Sequence, residues 1–180
     1  MTTIRMEPSR LVVVISVLVL LGLATSRGEG PPATAQEASP TAGSVGITGA
    51  VLGAVEPIAA PGYSLEMFHM EWAPGTTVSP HTHPMAFVTC VESGALGFTL
   101  LAGSATLTRA ASPGTAEQLP LDVEVVLGPR DCVAVDNEAT DTIHSARNAS
   151  EETTIAWEAD LYKLGEPPTT FVDEQGTPIP

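Results

Sequence analysis

Between Tyr63 and Leu164 the chain alternates short β-branched and apolar runs with turn residues. The runs are Leu65–Trp72, Ala86–Glu92, Leu96–Leu101, Ala105–Arg109, Val123–Leu127, Cys132–Val135, Thr142–Arg147 and Thr153–Tyr162. Separating them are Ala73-Pro74-Gly75, Ser93-Gly94, Ala102-Gly103, Ser112-Pro113-Gly114, Gly128-Pro129 and a polar loop, Asp136–Asp141. No segment carries a sustained helical stripe, and there is no internal repeat. Short strands at this spacing predict an all-β domain, an antiparallel sandwich or barrel. Closing the sheets on one another also leaves few bare edges, which suits a protein that must stay dispersed.

The N-terminal pattern is different. Leu11–Ala24, LVVVISVLVLLGLA, is an uncharged apolar run preceded by Arg5 and Arg10 and followed by small residues. Those are the parts of a secretory signal. The run is shorter than the about 20 residues a membrane span needs. Residues 1–26 are therefore expected to be a signal peptide, cut after Ser26 or Ala35, with an uncleaved membrane anchor as the alternative. The mature protein is expected outside the cytoplasm, extracellular or in the cell envelope. Residues 27–45, rich in Gly, Pro, Ala, Ser and Thr, read as a flexible linker. Residues 46–165 form the expected domain, and the proline-rich stretch 166–180 an irregular C-terminal arm.

A chain of 180 residues suits one domain with a real core. Sixteen Gly and sixteen Pro favour strands and turns over long helices. The formal net charge is −14. Past Ala35 only Arg109, Arg130, Arg147 and Lys163 oppose 19 acids. Such a body repels phosphate backbones and anionic lipid, so nucleic acid is excluded as a partner. Cys90 and Cys132 lack the close spacing of a zinc knuckle or redox pair. Both fall in predicted strands and are expected as buried free thiols, with a disulfide formed after export as the alternative.

The informative tripeptide is His81-Thr82-His83. In an extended strand, residues two apart share a face, so both imidazoles aim into the same space. Neutral imidazole is a common metal ligand. Gly75 lies six residues before His81, Pro84 follows His83, and Gly94 closes the next strand. This run resembles the first signature of the cupin family: glycine, five residues, His-x-His, three or four residues, glutamate, six residues, glycine. His144-Ser145-Ala146-Arg147-Asn148 is similar to the end of the second signature, a histidine followed four residues later by asparagine. The resemblance covers Tyr63 to Tyr162. It implies a double-stranded β-helix, or jelly-roll barrel, in which His81, His83 and His144 face one cavity and bind a divalent ion: iron, manganese, zinc, nickel or copper.

Two departures stand out. Phe87 occupies the position of the signature glutamate, and Ala139 and Asp141 replace the proline and glycine before the second histidine. Three neutral imidazoles would then hold the ion, as in the cupin thiol dioxygenases, leaving positions open to water, substrate or dioxygen. Occupancy is expected to fall below about pH 6 as the imidazoles protonate. Glu138 or Asp141 could stand in for the carboxylate, although a solvated turn acid is the simpler account of each. His69 is expected to be an ordinary strand histidine, Met85 a gap-filler, and Trp72 and Trp157 barrel packing. Ser79, Ser93 and Ser145 lack a hydrolase elbow. No general base is evident.

Two functions remain open on these residues. One is an exported metal-binding cupin that performs oxidative or Lewis-acid chemistry on a small molecule, such as an oxygenase. The other is a non-catalytic module that binds a small ligand or serves as a scaffold; a homodimer is compatible with either. The substituted glutamate favours the second.

Overall fold

The computed structural model describes residues 45–173 and 175–179. The apolar run Leu11–Ala24 and the linker up to residue 44 lie outside the described residues. Among the described residues, no helix is long and apolar enough to cross a membrane.

The strands in chain order are β1 (Ile47–Val55), β2 (Tyr63–Trp72), β3 (Thr77–Thr82), β4 (Met85–Ser93), β5 (Leu96–Ala102), β6 (Ala105–Thr108), β7 (Ala116–Gln118), β8 (Glu124–Leu127) and β9 (Cys132–Asp136). After one helical turn, α1 (Asn137–Thr140), come β10 (Ile143–Asn148), β11 (Thr154–Lys163) and β12 (Thr170–Phe171). Two antiparallel sheets face each other, with strand orders β1-β2-β11-β4-β9-β6-β7 and β12-β3-β10-β5-β8. This is the all-β jelly roll expected from the sequence. Strand periodicity builds its core: in β4, Met85, Phe87, Thr89 and Val91 are buried while Ala86, Val88 and Cys90 face outward. Leu100, Leu107, Leu127 and Val133 close the interior between the sheets.

Both signature glycines have a backbone reason. Gly75 and Gly94 have φ of 76° and 79°, and a Cβ on Gly94 would meet the Thr154 backbone at 2.8 Å. Asp141, where the signature has glycine, adopts φ 47° as the left-handed cap of α1. An aspartate tolerates that conformation, so the substitution preserves the turn. Asn148 is likewise structural. Its Nδ2 donates to the carbonyls of Trp72 and Glu152, while its Oδ1 accepts from Ser150 and Thr154.

Four expectations need correction. The cysteines are not free thiols: Cys90 and Cys132 are direct partners on β4 and β9 and form a disulfide on the sheet's half-buried outer face. Their Cα atoms are 4.1 Å apart, the close approach of a non-hydrogen-bonded antiparallel pair. The arm is not irregular throughout. Its β12 pairs with β3, and Phe171 and Val172 are buried. A strand also precedes Tyr63, since β1 pairs along β2 at the sheet edge. Finally, Trp72 packs inside, but Trp157 lies on the outer face, 39% exposed, against His69 and with its indole N–H on Glu92.

Trp157 belongs to a wider reversal. Along β11, Ile155, Trp157, Ala159 and Leu161 face outward, while Thr154, Ala156, Glu158, Asp160 and Tyr162 alternate with them on the inner face. The apolar half of this strand is therefore outside and its two acids are inside.

Candidate metal centre

The three histidines of the signatures converge. His81 ends the inner face of β3, and His83 follows in the turn to β4. His144 lies on β10 as the register partner of His81. The pairing of β10 shifts on both sides of His144, against β3 and against β5, and such bulges re-aim the side chain they carry. Ring centroids are 4.3 Å apart for His81 and His144, 4.7 Å for His81 and His83, and 5.2 Å for His83 and His144. One nitrogen from each ring lies within 4.8 Å of the others.

Backbone carbonyls set two of the tautomers. The Nδ1–H of His81 donates to Ser79 O at 2.7 Å, and that of His83 to Pro168 O at 2.8 Å. This leaves Nε2 of each as the free ligand atom, the usual means of orienting a metal-binding imidazole. His144 is held by stacking on Phe98, with centroids 4.8 Å apart, and its buried Nδ1 has no partner in the protein. Burial lowers the basicity of all three. His83 falls to about 3, chiefly through desolvation and then the neighbouring His81 charge, and His144 falls well below its usual value for the same reasons. His81 is lowered by desolvation, partly offset by its bond to Ser79.

The donor set fits a divalent ion. It offers three neutral imidazoles, one nitrogen of each lying within 4.8 Å of the others, and neutral imidazole is an ordinary ligand for such ions. Among the described residues, no carboxylate joins them. Phe87 fills the glutamate position, with its ring 5.7 Å from His83 and 5.5 Å from His144. Glu138 is engaged at the surface with Tyr63 and Lys163. Asp141 caps α1, and neither acid enters the histidine cluster. His69 is on the outer face. The C-terminal arm covers the site through Pro168, Thr169 and Phe171.

The histidines line a cavity of about 290 Å³ between the sheets. Its walls include Phe68, Met70, Trp72, Met85, Phe87 and Phe98. Two further lining residues, Glu158 and Asp160 of β11, were not singled out as site candidates from the sequence. Thr89 donates to Glu158, and Glu158 and Asp160 share a hydrogen bond. Burial, followed by the charges of Glu158 and Glu66, pushes Asp160 up to about 9. Glu158 is also raised by burial, against the lowering effect of Thr89. The available signal was their period-two placement, but the apolar face of the same strand pointed to the opposite orientation.

No protein-family model matches the chain, and no curated protein is similar to it. Among solved structures it is similar to a cupin 2 domain-containing protein from Halorhodospira halophila, with 16% identity over 73% of each chain and a TM-score of 0.46. It is also similar to KdgF from Halomonas sp., with 15% identity over 66% of this chain and 82% of that one, TM-score 0.41. Oxalate decarboxylase from Lactobacillus farciminis, in its formate complex, matches with 15% identity over 69% of this chain and 31% of that one, TM-score 0.41.

Proposed function

We propose that this barrel is an exported protein that holds a divalent metal ion through His81, His83 and His144 and takes a small, largely apolar molecule into the adjoining cavity. The convergence of three uncharged imidazoles, two with their tautomer set by a carbonyl, carries the reading. A bound ion would supply Lewis-acid polarisation or, if iron, manganese or copper, redox chemistry. The chain's own part is to hold the ion with neutral donors, to keep bulk water out with Phe87, Phe98 and Phe171, and to bound the ligand's size. About 290 Å³ lies at the small end of the roughly 300–1,000 Å³ typical of ligand pockets. Export is supported by the apolar run behind Arg5 and Arg10, and by a disulfide of the kind that persists in oxidising compartments.

Metal content after mild purification, and after incubation with each of the five ions, tests the centre. No stoichiometric metal in any of these preparations would sink it. Phe87 in the acid's place favours a second reading, binding without turnover. A dioxygen-consumption screen of iron-loaded protein distinguishes an oxygenase from a binding module.

A further inference from the structure

The five-stranded sheet carries His81 and His144, with His83 just beyond β3, whereas Glu158 and Asp160 project from the seven-stranded sheet that faces it. Asp160 is 3% exposed, and its Oδ1 meets no hydrogen-bond donor from the rest of the protein. Its cross-strand neighbours are Phe87 on β4 and Glu66 on β2, so no cation faces it from either side. Among the described residues lining the cavity there is no Lys or Arg. An acid buried without a counter-charge is costly to fold. Here β11 turns its apolar face outward, which places this acid and Glu158 toward the cavity.

We propose that Glu158 and Asp160 form a second binding site in the cavity, one that takes the hydroxyl or amine head group of a small apolar molecule. The shared chemistry is hydrogen-bond donation. The Oδ1 is an acceptor inside a largely apolar enclosure that no protein group satisfies, so a ligand that donates to it supplies the missing hydrogen bond. Glu158 supports the arrangement by accepting from Thr89 and sharing a hydrogen bond with Asp160. A carboxylate head group is disfavoured because it would face two acids with no cation beside them. Aromatic side chains on several walls, Phe68, Phe87 and Phe98 among them, suit a ligand with a flat apolar body. This site goes beyond the metal reading and does not require it.

The test uses the full chain after chelation and three probes with similar apolar bodies: phenethyl alcohol, phenethylamine and hydrocinnamate. Titration calorimetry should show the donor head groups binding and hydrocinnamate failing to bind; whichever donor binds tighter identifies the preferred head group. Asp160→Leu should weaken donor binding by about tenfold or more, while Asp160→Asn, which keeps an acceptor oxygen, should stay within about threefold of wild type. Hydrocinnamate binding as tightly as the alcohol would overturn the proposal in the wild-type protein, without reliance on any variant. Unchanged binding by Asp160→Leu, or no binding of either donor probe, would also overturn it. His81→Ala should lose metal yet keep the alcohol, so the two readings fail separately.

Discussion

The two sheets bring opposite kinds of titratable group to one cavity, and burial drives both kinds toward neutrality. On the five-stranded sheet it strips protons from the histidines, leaving lone pairs. On the seven-stranded sheet it holds a proton on Asp160. Two of the imidazoles are prepared from behind, by Ser79 O and Pro168 O, whereas His144 Nδ1 and Asp160 Oδ1 have no partner in the protein. One pole offers uncharged donors that could hold a positive ion, the other an acceptor that could receive a hydrogen-bond donor. Phe87, in register with Asp160 and close to His83 and His144, stands between them.

Removing a histidine gives the largest expected effect. His81→Ala, His83→Ala or His144→Ala should each cut metal affinity by more than the about 10- to 100-fold that losing a partner of a ligand costs. His69→Ala should leave it unchanged. Equal metal retention by His144→Ala and wild type would break the comparison at its first pole.

Replacing the residue between the poles comes next. Phe87→Glu adds a carboxylate where the signature has one, but beside Asp160. Without metal it should destabilise the fold by about 3 kcal/mol or more in chemical denaturation. Added metal should recover much of that loss and bind more tightly than in wild type. A variant as stable as wild type without metal would show that Phe87 does not separate the two groups.

The acid pole should respond in the opposite sense. The native pKa of Asp160, about 9, exceeds its unfolded value, so the native state binds the extra proton and stability falls as pH rises from about 4 toward 9. Asp160→Asn removes that dependence. It should therefore stabilise the protein, by about 1–3 kcal/mol near pH 9 and by little near pH 4. Thermal melts across this range check it, and a constant difference would argue against a protonated buried acid.

The smallest effect refines an expectation drawn from ordinary imidazole basicity. The histidines' lowered pKa values mean that protonation competes with metal only below 6.5, well below it for His144 and toward about 3 for His83. The same depression makes their contribution to stability full above 6.5 and lost as pH falls, for His83 toward about 3. Metal content measured from pH 7 to 4 should decline late. Half-loss near 6.5 would mean that the site is wetter than its burial implies.

The jelly roll was legible because strands such as β4 alternate cleanly, and the histidines were legible because His-x-His shares a face by local geometry alone. What escaped depended on pairing across long separations. In β1, ITGAVLGAV, glycine and alanine dilute the alternation. The Cys90–Cys132 bridge follows from the β4–β9 register, which spacing does not reveal. β11 misled most, because its hydrophobic pattern favours Ile155, Trp157 and Leu161 inside, while the fold buries Glu158 and Asp160. Pairing on both edges, with β2 and β4, sets the orientation of this strand against its hydrophobic preference.

The C-terminal arm also imposes an order of events. The bond from His83 to Pro168 spans 85 residues, and Phe171 of β12 pairs with His81 from 90 residues further along the chain. A ribosome-bound chain can present His-x-His long before its carbonyl partner and cover exist. The cluster is therefore completed only after the residues through Phe171 have been made and have folded back onto β3. If the three imidazoles hold an ion, its identity then depends on the metals present where the chain finishes folding, as well as on the preference of the donors.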